Sequence, residues 1–111
     1  MKKTSTIELN VELNENNVPG SIHWSAPDSG QKNANTSAFF LSLWDPKDKN
    51  TLRIDLWTAE MTVDEMKQFF HQSLLTMADS FEKATGEANI CEDLRDYCYH
   101  FADKMNILPA E

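Results

Sequence analysis

The sequence predicts an α+β fold: a four-stranded antiparallel sheet, arranged as a meander, followed by two C-terminal amphipathic helices packed on one face. Three observations lead there. Residues up to about Thr58 alternate polar and apolar with period two. From Thr62 onward the apolar residues recur at spacings of three and four. Turn-forming residues separate the segments. The 111 residues are expected to form a single α+β domain, 1–111, large enough to bury a core without staples.

The first strand is read from Thr4 to Leu13, where Ile7, Leu9, Val11 and Leu13 face one way and Glu8, Asn10 and Glu12 the other. Asn14–Gly20 reads as a turn. Ser21–Ser25 alternates again, with Ile22 and Trp24 inward and His23 outward. Residues 26–35 hold Pro27, Gly30 and a polar run, which reads as a loop. The next two strands, Ala38–Asp45 and Thr51–Thr58, specify their own register. Pairing Leu43 with Leu52 sets Leu41 against Ile54 and Phe39 against Leu56, an all-apolar inner face. Trp44 then meets Thr51, Ser42 meets Arg53, Phe40 meets Asp55 and Ala38 meets Trp57, and a one-residue slip would scramble both faces. A buried helix over residues 35–44, capped by Asn35, is the competing reading; the consecutive aromatics and the register match favour a strand.

Thr62 and Glu65 have capping-box spacing. Val63, Met66, Phe70, Leu74, Met77 and Phe81 form the apolar stripe of the first helix, and Gly86 signals its end. A second helix runs from about Ala88 to Met105, with the stripe Ile90, Leu94, Tyr97, Cys98, Phe101 and Met105. The inner sheet pairs are expected to pack against Phe70, Leu74 and Phe101. All four prolines and all three glycines lie outside the elements read so far.

The formal charge of −8 argues against nucleic-acid backbones and anionic membranes, which call for clustered Lys and Arg. No apolar run approaches the roughly 18 residues of a membrane span, so no direct membrane insertion is expected. Lys2-Lys3 is not followed by a hydrophobic stretch, so no signal peptide is read and a cytoplasmic location is expected. Cys91 and Cys98 stand seven residues apart, about 10.5 Å along a helix, beyond the roughly 7 Å that a disulfide allows between Cα atoms. Two reduced thiols fit that compartment.

Little in the chain resembles catalytic machinery. His23, His71 and His100 stand apart, and no Cys/His set has zinc spacing. The carboxylates Asp64, Glu65, Asp79, Glu82, Glu92, Asp93 and Asp96 read as solvated helix faces. There is no phosphate-binding glycine loop and no nucleophile elbow. No catalytic residue, cofactor or metal site is expected, and the chain reads as a non-enzyme. The outer face of the hairpin is the stronger lead. It carries Phe40, Trp44, Arg53, Asp55 and Trp57 where a soluble sheet would show polar groups. Three such aromatics can cover about 450 to 750 Å², close to one partner's share of a standard interface. Either a partner covers them or the chain does, through residues 26–35 or the terminal helix.

The blocks Leu41-Ser-Leu-Trp-Asp45, Asn50-Thr-Leu-Arg-Ile-Asp-Leu-Trp-Thr58, Val63-Asp-Glu-Met66, Phe69-Phe-His-Gln72, Met77-Ala-Asp79 and Ala84-Thr-Gly86, with the opening Met1-Lys-Lys and Val11-Glu-Leu13, resemble the gliding motility-associated protein GldC family of Bacteroidetes. The resemblance covers nearly the whole chain. It implies a small cytoplasmic accessory protein of the gliding and type IX secretion machinery, acting by protein–protein interaction, with protein partners from that apparatus and an oligomer as a further expectation. It implies no enzymatic activity, cofactor or catalytic residue. A different class of reading is a small SecB-like chaperone or ligand-binding module for secretion clients, by fold-level analogy in element order alone. A shallow apolar groove under the sheet would favour the chaperone, and a flat face closed by symmetry the assembly protein.

Overall fold

The computed structural model describes residues 3–107. The order of elements is β1 (Glu8–Leu13), β2 (Pro19–Ala26), a short 3-10 turn (Pro27–Ser29), β3 (Gln31–Thr36), β4 (Ala38–Asp45), β5 (Asn50–Trp57), α1 (Val63–Thr85) and α2 (Ala88–Lys104). The class is α+β, with both helices after the strands. The chain divides into two compact units, Met1–Met61 and Thr62–Glu111.

The expected single four-stranded sheet is not what forms. Five strands make two sheets, a three-stranded one in the order β1-β2-β3 and a two-stranded one of β4 and β5. The extra strand, β3, lies in the stretch 26–35 that the sequence reads as a loop. Gln-Lys-Asn-Ala-Asn-Thr has no apolar alternation, so periodicity cannot reveal it. Its order comes from backbone pairing to β2, with Ile22 opposite Thr36 and Trp24 opposite Ala34. The register shifts between Trp24 and Ala26. There Asn33 takes a left-handed φ of 50°, and its N–H donates to the Ser25 hydroxyl at 2.8 Å. By taking the free edge of β2, β3 removes the place where β4 was expected to join. Pro19 and Gly20 also fall inside β2 rather than before it. Pro19 is the first residue, a position where a missing N–H does little harm to the ladder.

The β4–β5 hairpin has the register the sequence specifies, from Ala38 opposite Trp57 to Trp44 opposite Thr51, and residues 35–44 contain no helix. At the turn the Asp45 carboxylate accepts from the Lys47 N–H at 3.0 Å, and Lys49 adopts a left-handed φ of 53°. Among the described residues of this first unit, Ile22, Ala26 and Thr58 are buried.

The helices end where their caps place them. The Thr62 side chain accepts from the Glu65 N–H at 3.1 Å, the Glu65 carboxylate accepts from the Thr62 N–H at 3.1 Å, and Gly86 closes α1 at a left-handed φ of 73°. The seam between the helices is offset from the expected stripes. Ala78, Cys91 and Cys98 are fully buried, the His71 and Phe101 rings stack at 6.3 Å, and Arg95 of α2 reaches Asp79 at 2.9 Å and Glu82 at 3.0 Å on α1. The row His71, Leu75, Ala78, Glu82 therefore faces α2. The bulky row Phe70, Met77 and Phe81 remains largely exposed, as do Ile90 and Tyr97 on α2.

Candidate functional site

Alternation along β4 and β5 puts Phe40, Trp44, Arg53, Asp55 and Trp57 on one face of the hairpin. Three of them form a cluster. Phe40 lies opposite Asp55. The Arg53 guanidinium sits 5.7 Å from the centre of the Phe40 ring, a cation–π contact. It also donates to both Asp55 carboxylate oxygens, at 3.0 and 3.2 Å. Trp57, opposite Ala38, stands diagonal to Phe40 and extends the face at one end, and Trp44, opposite Thr51, extends it at the other. Trp44 is 63% exposed and Trp57 is 50% exposed. Residues 26–35 do not cover them.

The opposite face differs from expectation. Leu43 and Leu52 are each 53% exposed and Ile54 is 51% exposed, whereas Phe39, Leu41 and Leu56 on the same face are half-buried. Phe70 too is 42% exposed. Sequence pattern identifies which side chains share a face; it carries no information on what lies above that face.

A second apolar surface, not anticipated from the sequence, lies on the helices. Phe81, Ile90, Leu94 and Tyr97, with Asp93 at the side, line a shallow cleft of about 480 Å³. Its signal was present in the two helical stripes, whose neighbouring residues belong to different faces once the seam is set by Ala78. Beside it, Arg95 joins Asp79, Glu82 and Glu92. Hydrogen bonds donated to the Asp79 and Glu82 carboxylates hold its guanidinium charged well above the ordinary range, so this cation is an internal clamp between helices. Burial pushes both thiols up: Cys98 by loss of solvent, Cys91 by loss of solvent first and by the nearby Glu82 charge next. A thiol so held is a poor nucleophile. Cys91 and Cys98 are unpaired. Among the described residues, no three His, Cys, Asp or Glu side chains gather as a metal-holding group, and no helix is long and apolar enough to cross a membrane.

The family model of the gliding motility-associated GldC-like proteins matches residues 19–107. The chain belongs to the GldC-like family. The match takes in β2 to β5 and both helices, and so includes the aromatic face and the helical cleft. No curated protein and no solved structure matches the chain.

Proposed function

We propose that this GldC-like protein is a non-enzymatic, cytoplasmic accessory factor that binds a protein of the gliding and type IX secretion machinery through the outer face of the β4–β5 hairpin. One observation carries the reading: Trp44 and Trp57 stay at least half exposed on either side of the Phe40–Arg53–Asp55 cluster. Tryptophan and arginine are the side chains most often found at the energetic centre of interfaces. Arg53 is already oriented by Asp55, which lowers the ordering cost on binding.

The test is affinity capture and complementation in a gliding host that lacks its own copy. Trp44→Ala and Trp57→Ala should each weaken capture of a motility-apparatus protein by about 2 kcal/mol or more, and neither variant should restore colony spreading. Full spreading and undiminished capture by both variants would sink the proposal. The helical cleft favours a second reading, a chaperone for apolar secretion clients. In that case Tyr97→Ala, and not Trp44→Ala, should abolish suppression of client aggregation.

A further inference from the structure

Strand β5 is anomalous in its exposure. Of Asn50–Trp57, every residue except Leu56 is exposed, although the strand contains two leucines, an isoleucine and a tryptophan. It has β4 on one side and, among the described residues, no strand on the other. A two-stranded ribbon is marginal in water, and an open strand edge is a template for another strand.

The open edge has a defined chemistry. The Thr58 N–H donates to the Ser37 carbonyl at 2.9 Å. Backbone groups in an antiparallel ladder point alternately toward and away from the partner. With the observed register, Asn50, Leu52, Ile54 and Leu56 therefore turn their N–H and C=O groups toward β4. Thr51, Arg53, Asp55 and Trp57 turn theirs outward. An incoming strand must bond to these four.

We propose that β5 pairs antiparallel with β5 of a second copy about a two-fold axis through Ile54, giving a four-stranded sheet ordered β4-β5-β5-β4. Charge and hydrogen-bond direction select this register. A two-fold centred on Arg53 would set Arg53 against Arg53, and one centred on Asp55 would set Asp55 against Asp55. Like charges directly opposed destabilise a sheet. Centred on Ile54, the pairing sets Arg53 against Asp55 twice and Thr51 against Trp57 twice, all four with outward backbone groups. On the opposite face Ile54 meets Ile54 and Leu52 meets Leu56, extending the apolar face of Leu41, Leu43, Leu52 and Ile54. The Arg53–Asp55 pair, 3.0 Å apart within one strand, has only to exchange partners. The pairing shares Arg53, Asp55 and Trp57 with the face of the motility reading but leaves out Trp44 on β4, so Trp44→Ala tests that reading without touching this edge.

The experiment is sedimentation and disulfide trapping on the full chain. Wild type should sediment as a dimer at micromolar concentration. Ile54 opposite Ile54 is a non-hydrogen-bonded pair, with Cα atoms about 4.5 Å apart, inside the range for a disulfide. Ile54→Cys should thus form a covalent dimer under mild oxidation, faster than Arg53→Cys or Asp55→Cys. The buried Cys91 and Cys98 should stay out of the reaction. Arg53→Asp should weaken the dimer about tenfold or more, since each of two attractive pairs becomes repulsive, and the exchange Arg53→Asp with Asp55→Arg should restore it. A monomeric wild type, faster cross-linking at position 53 or 55, or a charge exchange that fails to restore the dimer would each overturn the proposal.

Discussion

The helical hairpin α1–α2 and the strand hairpin β4–β5 carry comparable apolar rows, yet only the helices close a seam. Across that seam Ala78, Cys91 and Cys98 have no exposed surface, and Arg95 clamps the two helices through Asp79 and Glu82. The strands stay more open: Leu43, Leu52 and Ile54 are exposed on one face and Trp44 and Trp57 on the other, while Phe39, Phe40, Leu41 and Leu56 are half-buried. A two-helix unit can bury a row between its members, because each helix offers a side to the other. A two-stranded ribbon has no such option: its side chains point above and below the sheet, never between the strands. Its apolar surface can be covered only by something else. On this contrast, the helices hold the closed packing and the strands carry the surface proposed to bind.

The sharpest way to break this comparison is at Ala78. Ala78→Leu places a branched side chain at a fully buried position of α1, and overpacking of this kind costs about 2 to 3 kcal/mol. Urea unfolding followed by far-ultraviolet circular dichroism should show that loss. A change below about 0.5 kcal/mol would mean that the seam lies elsewhere. Leucine truncations give a smaller effect that sharpens the contrast. Leu74→Ala removes a half-buried side chain of α1 and should cost about 1 to 2 kcal/mol, below the range of about 2 to 5 seen for fully buried leucines. Leu52→Ala, at a residue more than half exposed, should cost less than about 1 kcal/mol of monomer stability. Equal losses would show that the strand face is closed in solution.

The same contrast explains which parts of the architecture were legible in the sequence. Caps and local registers were readable because they are set by neighbours in the chain: the Thr62–Glu65 capping box, Gly86, and every pair from Ala38–Trp57 to Trp44–Thr51. The five residues of the outer face were readable for the same reason. Strand β3 was hidden because both its faces are polar, and its order resides in hydrogen bonds to β2. The row of α1 that faces α2 was not legible, because hydrophobicity picks out Phe70, Met77 and Phe81, whereas the buried residue of α1 is Ala78. Exposure of Leu43, Leu52 and Ile54 was unreadable, since an apolar face looks the same in sequence whether or not anything covers it.

The smallest expected effect concerns the thiols, which report the closed seam directly. Burial raises both Cys91 and Cys98 above the ordinary thiol value, so the folded chain holds these protons more tightly than the unfolded chain. Below about pH 8.5, near the unfolded thiol value, both states are protonated and the thiols leave stability unchanged. As pH rises past that point the unfolded chain ionises first, and stability falls until the folded thiols ionise as well. Alkaline titration of unfolding should show this decline, and the Cys91→Ser, Cys98→Ala double variant should flatten it, with a packing cost at neutral pH because both side chains are fully buried. Alkylation gives an independent reading. In the folded chain, reaction with iodoacetamide should be slower than in urea by about a hundredfold or more, since it requires the helices to open. By contrast, a cysteine introduced for Leu52 on the open strand face should react at nearly the unfolded rate in a chain kept monomeric by Arg53→Asp. Rapid labelling of Cys98 in the native protein would show that the helical seam is no more closed than the strands.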